Sequence, residues 1–96
     1  MKIKWSQKAY ENLEKILSHT EENFSQKKAI QVYQNILESI EKLADFPQMG
    51  KVFGPEQTLR FYVVERNVIL YEIMLEREPL IYIATLIPRK TKADTK

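Results

Sequence analysis

Arg60, Arg66 and Arg89, together with Lys51 and Lys90, are the side chains of this sequence whose chemistry is least accounted for by folding alone. Arg60 stands in the middle of the alternating run Leu59-Arg60-Phe61-Tyr62-Val63-Val64, on the opposite side from Leu59 and Phe61. A long cation belongs there only if that side is wet or the guanidinium is paired, so Arg60 is expected to mark a surface. Lys51, Arg66, Arg89 and Lys90 fall in loops or at strand ends and can join it as fork-like or point-charge contacts to phosphate. Tyr62, Tyr71 and Tyr82 can add hydroxyls or stacking faces beside such a patch. The structural alternative makes these tyrosines half-buried sheet residues and pairs Arg60 with Glu72 across a hairpin.

Other chemistries are closed off. The chain has no cysteine, which excludes disulfide scaffolds, thiolate zinc sites and cysteine nucleophiles. Its one histidine, His19, lies near a helix end among Ser18, Thr20 and Glu21 and reads as a solvated cation. Glu38, Glu41 and Asp45 share one side of a helix with Lys42, a spacing that can hold a hard cation but suits a solvated outer face better. Two glycines leave no glycine-rich phosphate loop. No metal and no cofactor is expected. A chain of 96 residues carries one core, so a single domain is expected over residues 1–90. The net charge of +2 is small as a total, but residues 88–96, PRKTKADTK, set Arg89, Lys90, Lys92 and Lys96 against Asp94 alone, and residues 91–96 read as a basic, frayed tail. No apolar run approaches the roughly 20 residues of a membrane span, and the first residues lack the apolar stretch of a secretion signal, so the cytoplasm is the expected compartment.

The elements that must position these residues follow from hydrophobic period. Ile3 and Trp5 flank Lys4 in a short first strand. Ser6 caps a helix in which Ala9, Leu13, Ile16 and Leu17 repeat at helical spacing to about Glu22. Ser25 caps a second helix with an apolar stripe of Ala29, Val32, Tyr33, Ile36, Leu37, Ile40, Leu43 and Ala44. The short link at Asn23 folds the two into an antiparallel pair, with Leu13, Ile16 and Leu17 against Tyr33, Ile36 and Leu37. Phe46-Pro47-Gln48-Met49-Gly50 stops the second helix, with Gly50 free to take a positive φ. A loop through Gly54-Pro55 leads to three strands in a meander, broken at Glu65-Arg66-Asn67, with Asn67 left-handed, and at Glu76 to Pro79. The fold class is therefore α+β, an N-terminal helical hairpin packed on an antiparallel β-sheet in the order β-α-α-β-β-β, with the first strand joining by a long crossover.

The string FPQMG, the hairpin LRFYVVERNVILYEI and the last strand LIYIATLIPRK carry Phe46-Pro47, Gly50, Leu59-Arg60, Tyr71 and Arg89 in this order. In that combination the chain resembles the RelE/ParE superfamily of bacterial type II toxins over nearly its whole length. The resemblance implies one of two activities, ribosome-dependent cleavage of mRNA in the RelE branch or poisoning of DNA gyrase in the ParE branch. Metal-independent RNA cleavage needs cations on the phosphorane-like transition state and groups that move protons. The RelE-like pattern supplies them as a Tyr-Arg pair on the middle strands plus an arginine and a tyrosine or histidine near the C-terminus. Here Asn67-Val68 takes the place of that pair, and no tyrosine or histidine follows Arg89. A nuclease would have to use Lys51, Arg60, Arg89 and Tyr62.

The long helical hairpin and Phe46-Pro47 look more like the ParE branch, in which the toxin acts by binding. The resemblance then implies a plasmid-stabilisation type of growth inhibitor that touches gyrase through Arg60, Arg66, Arg89 and Lys90. A degenerate, non-toxic binding member is a third reading. Under each reading the implied partner is a cognate antitoxin, lying along the hairpin or adding to the sheet edge, with Tyr10, Phe24 and Tyr33 as apolar contacts.

Overall fold

The computed structural model of the chain describes residues 1–55 and 58–89. Lys90 and the tail over 91–96 lie outside the described residues. Strand β1 (Lys2–Trp5) leads through Ser6 into α1 (Gln7–Asn23), and Ser25 opens α2 (Gln26–Asp45). Both serines act as N-caps, accepting from Ala9 N at 2.8 Å and from Lys28 N at 2.9 Å. Where the sequence suggested a plain loop, a 3-10 turn forms over Pro47–Met49, then a two-residue strand β2 (Lys51–Val52). The meander follows as β3 (Leu59–Val64), β4 (Asn67–Met74) and β5 (Leu80–Pro88).

The five strands form one sheet in the order β1-β5-β4-β3-β2. All neighbours are antiparallel except β1, which reaches the far edge by the helical crossover and runs parallel to β5. This is the α+β architecture expected from the order of elements. β4 is buried at every second residue, and Ile69, Tyr71 and Ile73 meet Ile81, Ile83 and Leu86 of β5 under the helices. From above, Ala9, Leu13 and Ile16 of α1 and Val32, Ile36, Ile40 and Leu43 of α2 close the core. Ala84 is skipped in the β4 to β5 pairing. Asn12 of α1 repairs that bulge, accepting from the Thr85 hydroxyl at 2.7 Å and from Leu86 N at 3.2 Å.

Three local expectations are corrected. Glu65 (φ 52) and Arg66 (φ 64) take the left-handed conformations at the β3 to β4 turn, not Asn67. Two positive φ values between the paired Val64 and Asn67 define the two-residue hairpin turn that matches strand twist. Asn67 is instead a buried strand residue whose amide donates to Glu65 O at 2.9 Å. Gly50 has φ −76 and needs no left-handed freedom. It is required because a Cβ there would stand 2.7 Å from Phe61 O and closer still to the Tyr71 hydroxyl. Tyr33 does not enter the buried seam between the helices, being 41% exposed.

Arg66 pays the usual cost of a side chain in the left-handed region without an evident local return. Arg66→Gly should therefore raise stability by about 0.5–1 kcal/mol in urea unfolding, with the hairpin register unchanged.

Candidate functional site

The strand register decides which face each candidate residue occupies. Arg60 pairs with Tyr71 and Tyr62 with Ile69, so both lie on the face that the helices cover. Tyr62 packs against the core cluster. Leu59, Phe61 and Val63 point to the other, uncovered face. This inverts the expectation that Arg60 stands on a wet face. A mid-strand cation under the helices needs partners, and it finds carbonyls. Its Nη1 donates to Gly50 O at 2.8 Å and weakly to Gln48 O at 3.4 Å. Glu72 is not that partner, because it stands opposite Leu59 and faces the other way.

Tyr71 completes the arrangement from the adjacent strand. Its side chain is fully buried, and its hydroxyl donates to Pro47 O at 2.6 Å while accepting from Gly50 N at 3.0 Å. Burial pushes the phenol's pKa up, while the Gly50 N–H and the Arg60 charge pull it part of the way back. The hydroxyl is thus fully committed and harder to ionise than a free tyrosine. Pro47, Gly50, Arg60 and Tyr71, four of the residues that carry the resemblance in the sequence, form one structural clamp that holds the 3-10 turn against the sheet. Alternation along β4 carried the signal for it, since Tyr71 shares a face with Ile69 and Ile73.

The cations that do gather lie on the uncovered face. Lys51 and Arg89 line one shallow depression whose floor is Phe61, Val63 and Val68. Phe53 stands over Phe61 edge-on, with ring centroids 6.3 Å apart at 87°, which extends the apolar floor toward β2. Arg66 is held beside this rim by backbone pairing, Arg89 N donating to Arg66 O at 2.7 Å. Lys51, Arg66 and Arg89 are exposed. Of the residues a nuclease would need, Lys51, Tyr62 and Arg89 border this depression, Tyr62 from a strand position whose register turns its side chain toward the core, while Arg60 lies on the helix-covered face. Tyr82, opposite Lys4 on β1, is half-buried on the uncovered face. Among the described residues no group of three or more His, Asp or Glu could hold a metal. No helix among them is long and apolar enough to cross a membrane. Tyr10 and Phe24 are strongly exposed on the hairpin, as is Ile30, which the sequence reading did not single out.

Residues 3–92 match the model of the ParE toxin of the type II toxin-antitoxin system, parDE. The chain belongs to that toxin family. Among solved structures it is similar to one described as the chromosomal ParDE TA system from P. aeruginosa, at 20% identity and a TM-score of 0.76, covering 94% of this chain and 97% of that one. At that identity the likeness speaks for the fold. No curated protein matches the chain.

Two outcomes separate clamp from rim. Tyr71→Phe leaves Pro47 O and Gly50 N without their buried partner and should cost about 2–3 kcal/mol. Because the folded phenol holds its proton more tightly than the unfolded one, the stability it contributes is present below pH about 10 and lost as pH rises through the raised folded value. Urea midpoints should therefore fall less steeply above that pH in Tyr71→Phe than in the wild type. Arg60→Met should likewise destabilise, whereas Arg89→Ala should stay within about 0.5 kcal/mol of the wild type.

Proposed function

We propose that this chain is a growth-inhibiting toxin that acts in the bacterial cytoplasm by binding DNA gyrase, and that a cognate antitoxin neutralises it. Membership of the ParE family supports the toxin role and favours the gyrase-poisoning branch of the resemblance. One observation supports the mechanism: Lys51 and Arg89 border an apolar floor of Phe61, Val63 and Val68 on the uncovered face, while Arg60 is tied to the turn carbonyls and Tyr62, at the border of that depression, packs against the core. A surface of that kind grips. Lys51, Arg66 and Arg89 steer and orient an anionic or mixed surface, and Phe61, Val63 and Val68 supply desolvated contact area. In this reading Lys90, which lies outside the described residues, is a candidate cation from the sequence alone, and Arg60 serves target binding only by fixing the turn that carries Met49 and Lys51.

The phosphodiester chemistry of the RelE branch would need a proton-moving group within hydrogen-bond reach of the same phosphate as the cations. The Tyr71 hydroxyl is engaged on both sides, and Tyr62, which borders the depression with Lys51 and Arg89, packs against the core.

The test is reconstitution with purified gyrase and plasmid DNA. The account expects protein-linked, cleaved DNA to accumulate in the presence of the toxin, with cells filamenting on induction. It expects Lys51→Glu with Arg89→Glu to weaken that effect at least about tenfold, as loss of steering and rim contacts should. Uncleaved plasmid together with intact cell division would overturn the gyrase reading, and unimpaired growth on induction would favour a non-toxic binding member.

A further inference from the structure

Arg60 uses only Nη1 in the clamp. That nitrogen donates to Gly50 O and Gln48 O, whereas Nε is shielded from solvent without a hydrogen-bond partner, and Nη2 makes no bond among the described residues. A shielded donor on a charged group is costly to leave unmade, so a ligand that satisfied it would gain more here than at an open surface. No carboxylate among the described residues answers it, since the ion pairs there join Lys2 to Glu78 and Lys28 to Glu65. Nε and Nη2 together form the edge of a guanidinium that takes both oxygens of one carboxylate in two parallel bonds.

Arg60 also lines an open cleft of about 700 Å³ where α2 gives way to the 3-10 turn. Phe46, Pro47, Met49, Ile73 and Leu75 make its walls apolar, and Asp45 borders it without pairing to Arg60. Leu75 is 71% exposed and Phe46 66%, apolar surface that the core does not use. Apolar walls around one convergent charged group, at this size, are the make-up of a small-molecule site. We infer that the cleft binds a small organic acid, its carboxylate on the Nε and Nη2 edge of Arg60 and its aromatic or short aliphatic body against Phe46, Met49 and Leu75. Because Nε lies below the surface, the acid group has to enter the cleft, and the flexible Met49 and exposed Leu75 can part for it. An acidic side chain of a protein fits less well, since it brings backbone amides that these walls cannot satisfy. Inorganic phosphate offers the walls no body at all. The inference goes beyond the toxin reading and does not rest on it: apart from Met49, the cleft and the depression of Lys51 and Arg89 are lined by different residues.

Titration of 4-phenylbutyrate into the isotope-labelled full-length protein tests this, with 4-phenylbutyramide and acetate as controls and the amide and Arg60 Nε–H resonances as the readout. The acid should shift the amides of Met49, Ile73 and Leu75 and move the Arg60 Nε–H signal. It should bind at least about tenfold more tightly than the amide, which lacks the charge, and than acetate, which lacks the body. Leu75 is largely exposed, so Leu75→Asp should keep the fold while placing a negative charge in the cleft, and it should abolish the preference for the acid. Arg60→Lys keeps the charge but loses the fork and should abolish it as well. Should the lysine variant unfold, Leu75→Asp and the Nε–H signal of the wild type decide the matter. Equal affinity for acid and amide, an acetate response as strong as that to 4-phenylbutyrate, or shifts confined to the depression around Lys51 and Arg89 would each overturn the inference. So would tighter binding of a glutamate-bearing leucine peptide than of the free acid, which would give the cleft to a protein partner.

Discussion

The Tyr71 hydroxyl, donating to Pro47 O and accepting from Gly50 N, is the bond on which the rest of the architecture depends. A buried phenol must satisfy its oxygen, and here it does so by capturing both ends of the turn that stops α2. The same turn offers Gly50 O to Arg60, so two neighbouring strands hold it through one residue each. Because the phenol approaches so closely, no side chain fits at position 50. Pro47 ends the helix, the 3-10 turn redirects the chain, and β2 then places Lys51 opposite Phe61 at the sheet edge. The position of a rim cation is thereby tied to a buried hydrogen bond.

Much of this was legible in the sequence. The serine caps, the apolar stripe of α2 and the three β-prone runs produce elements close to those expected, since each rests on a local signal that tertiary packing reinforces. The side of the sheet on which Arg60 lies was not legible. Both sides of β3 are apolar enough to face a core, and period alone cannot say which one the helices cover. Register against β4 settles it, because Tyr71 and Ile69 are buried. Likewise the glycine of FPQMG was recognisable, yet its cause is a contact with Tyr71, 21 positions away, and no local pattern records it. The hairpin turn misled for a similar reason. Asn67 is the usual residue for a left-handed turn, but pairing of Val64 with Asn67 leaves Glu65 and Arg66 to make the bend.

Of the candidate site, the sequence singled out cations without showing how the fold divides them. Lys51 and Arg89 border one depression with Tyr62 at its edge, Arg66 is tied to Arg89 through the backbone, and Arg60 holds the 3-10 turn from the helix-covered face. The two faces of the molecule differ in chemistry as well as shape. The sheet presents an apolar floor with a basic rim, and the hairpin exposes Tyr10, Phe24, Ile30 and Tyr33.

The central claim is that the uncovered sheet face is a docking surface for gyrase and does no chemistry on RNA. Following DNA, RNA and protein synthesis separately after induction in a bacterial host tests it most directly. The account predicts that DNA synthesis falls first while mRNA stays intact. Early loss of translation, with mRNA cut in the ribosomal A site and DNA synthesis unaffected, would contradict it.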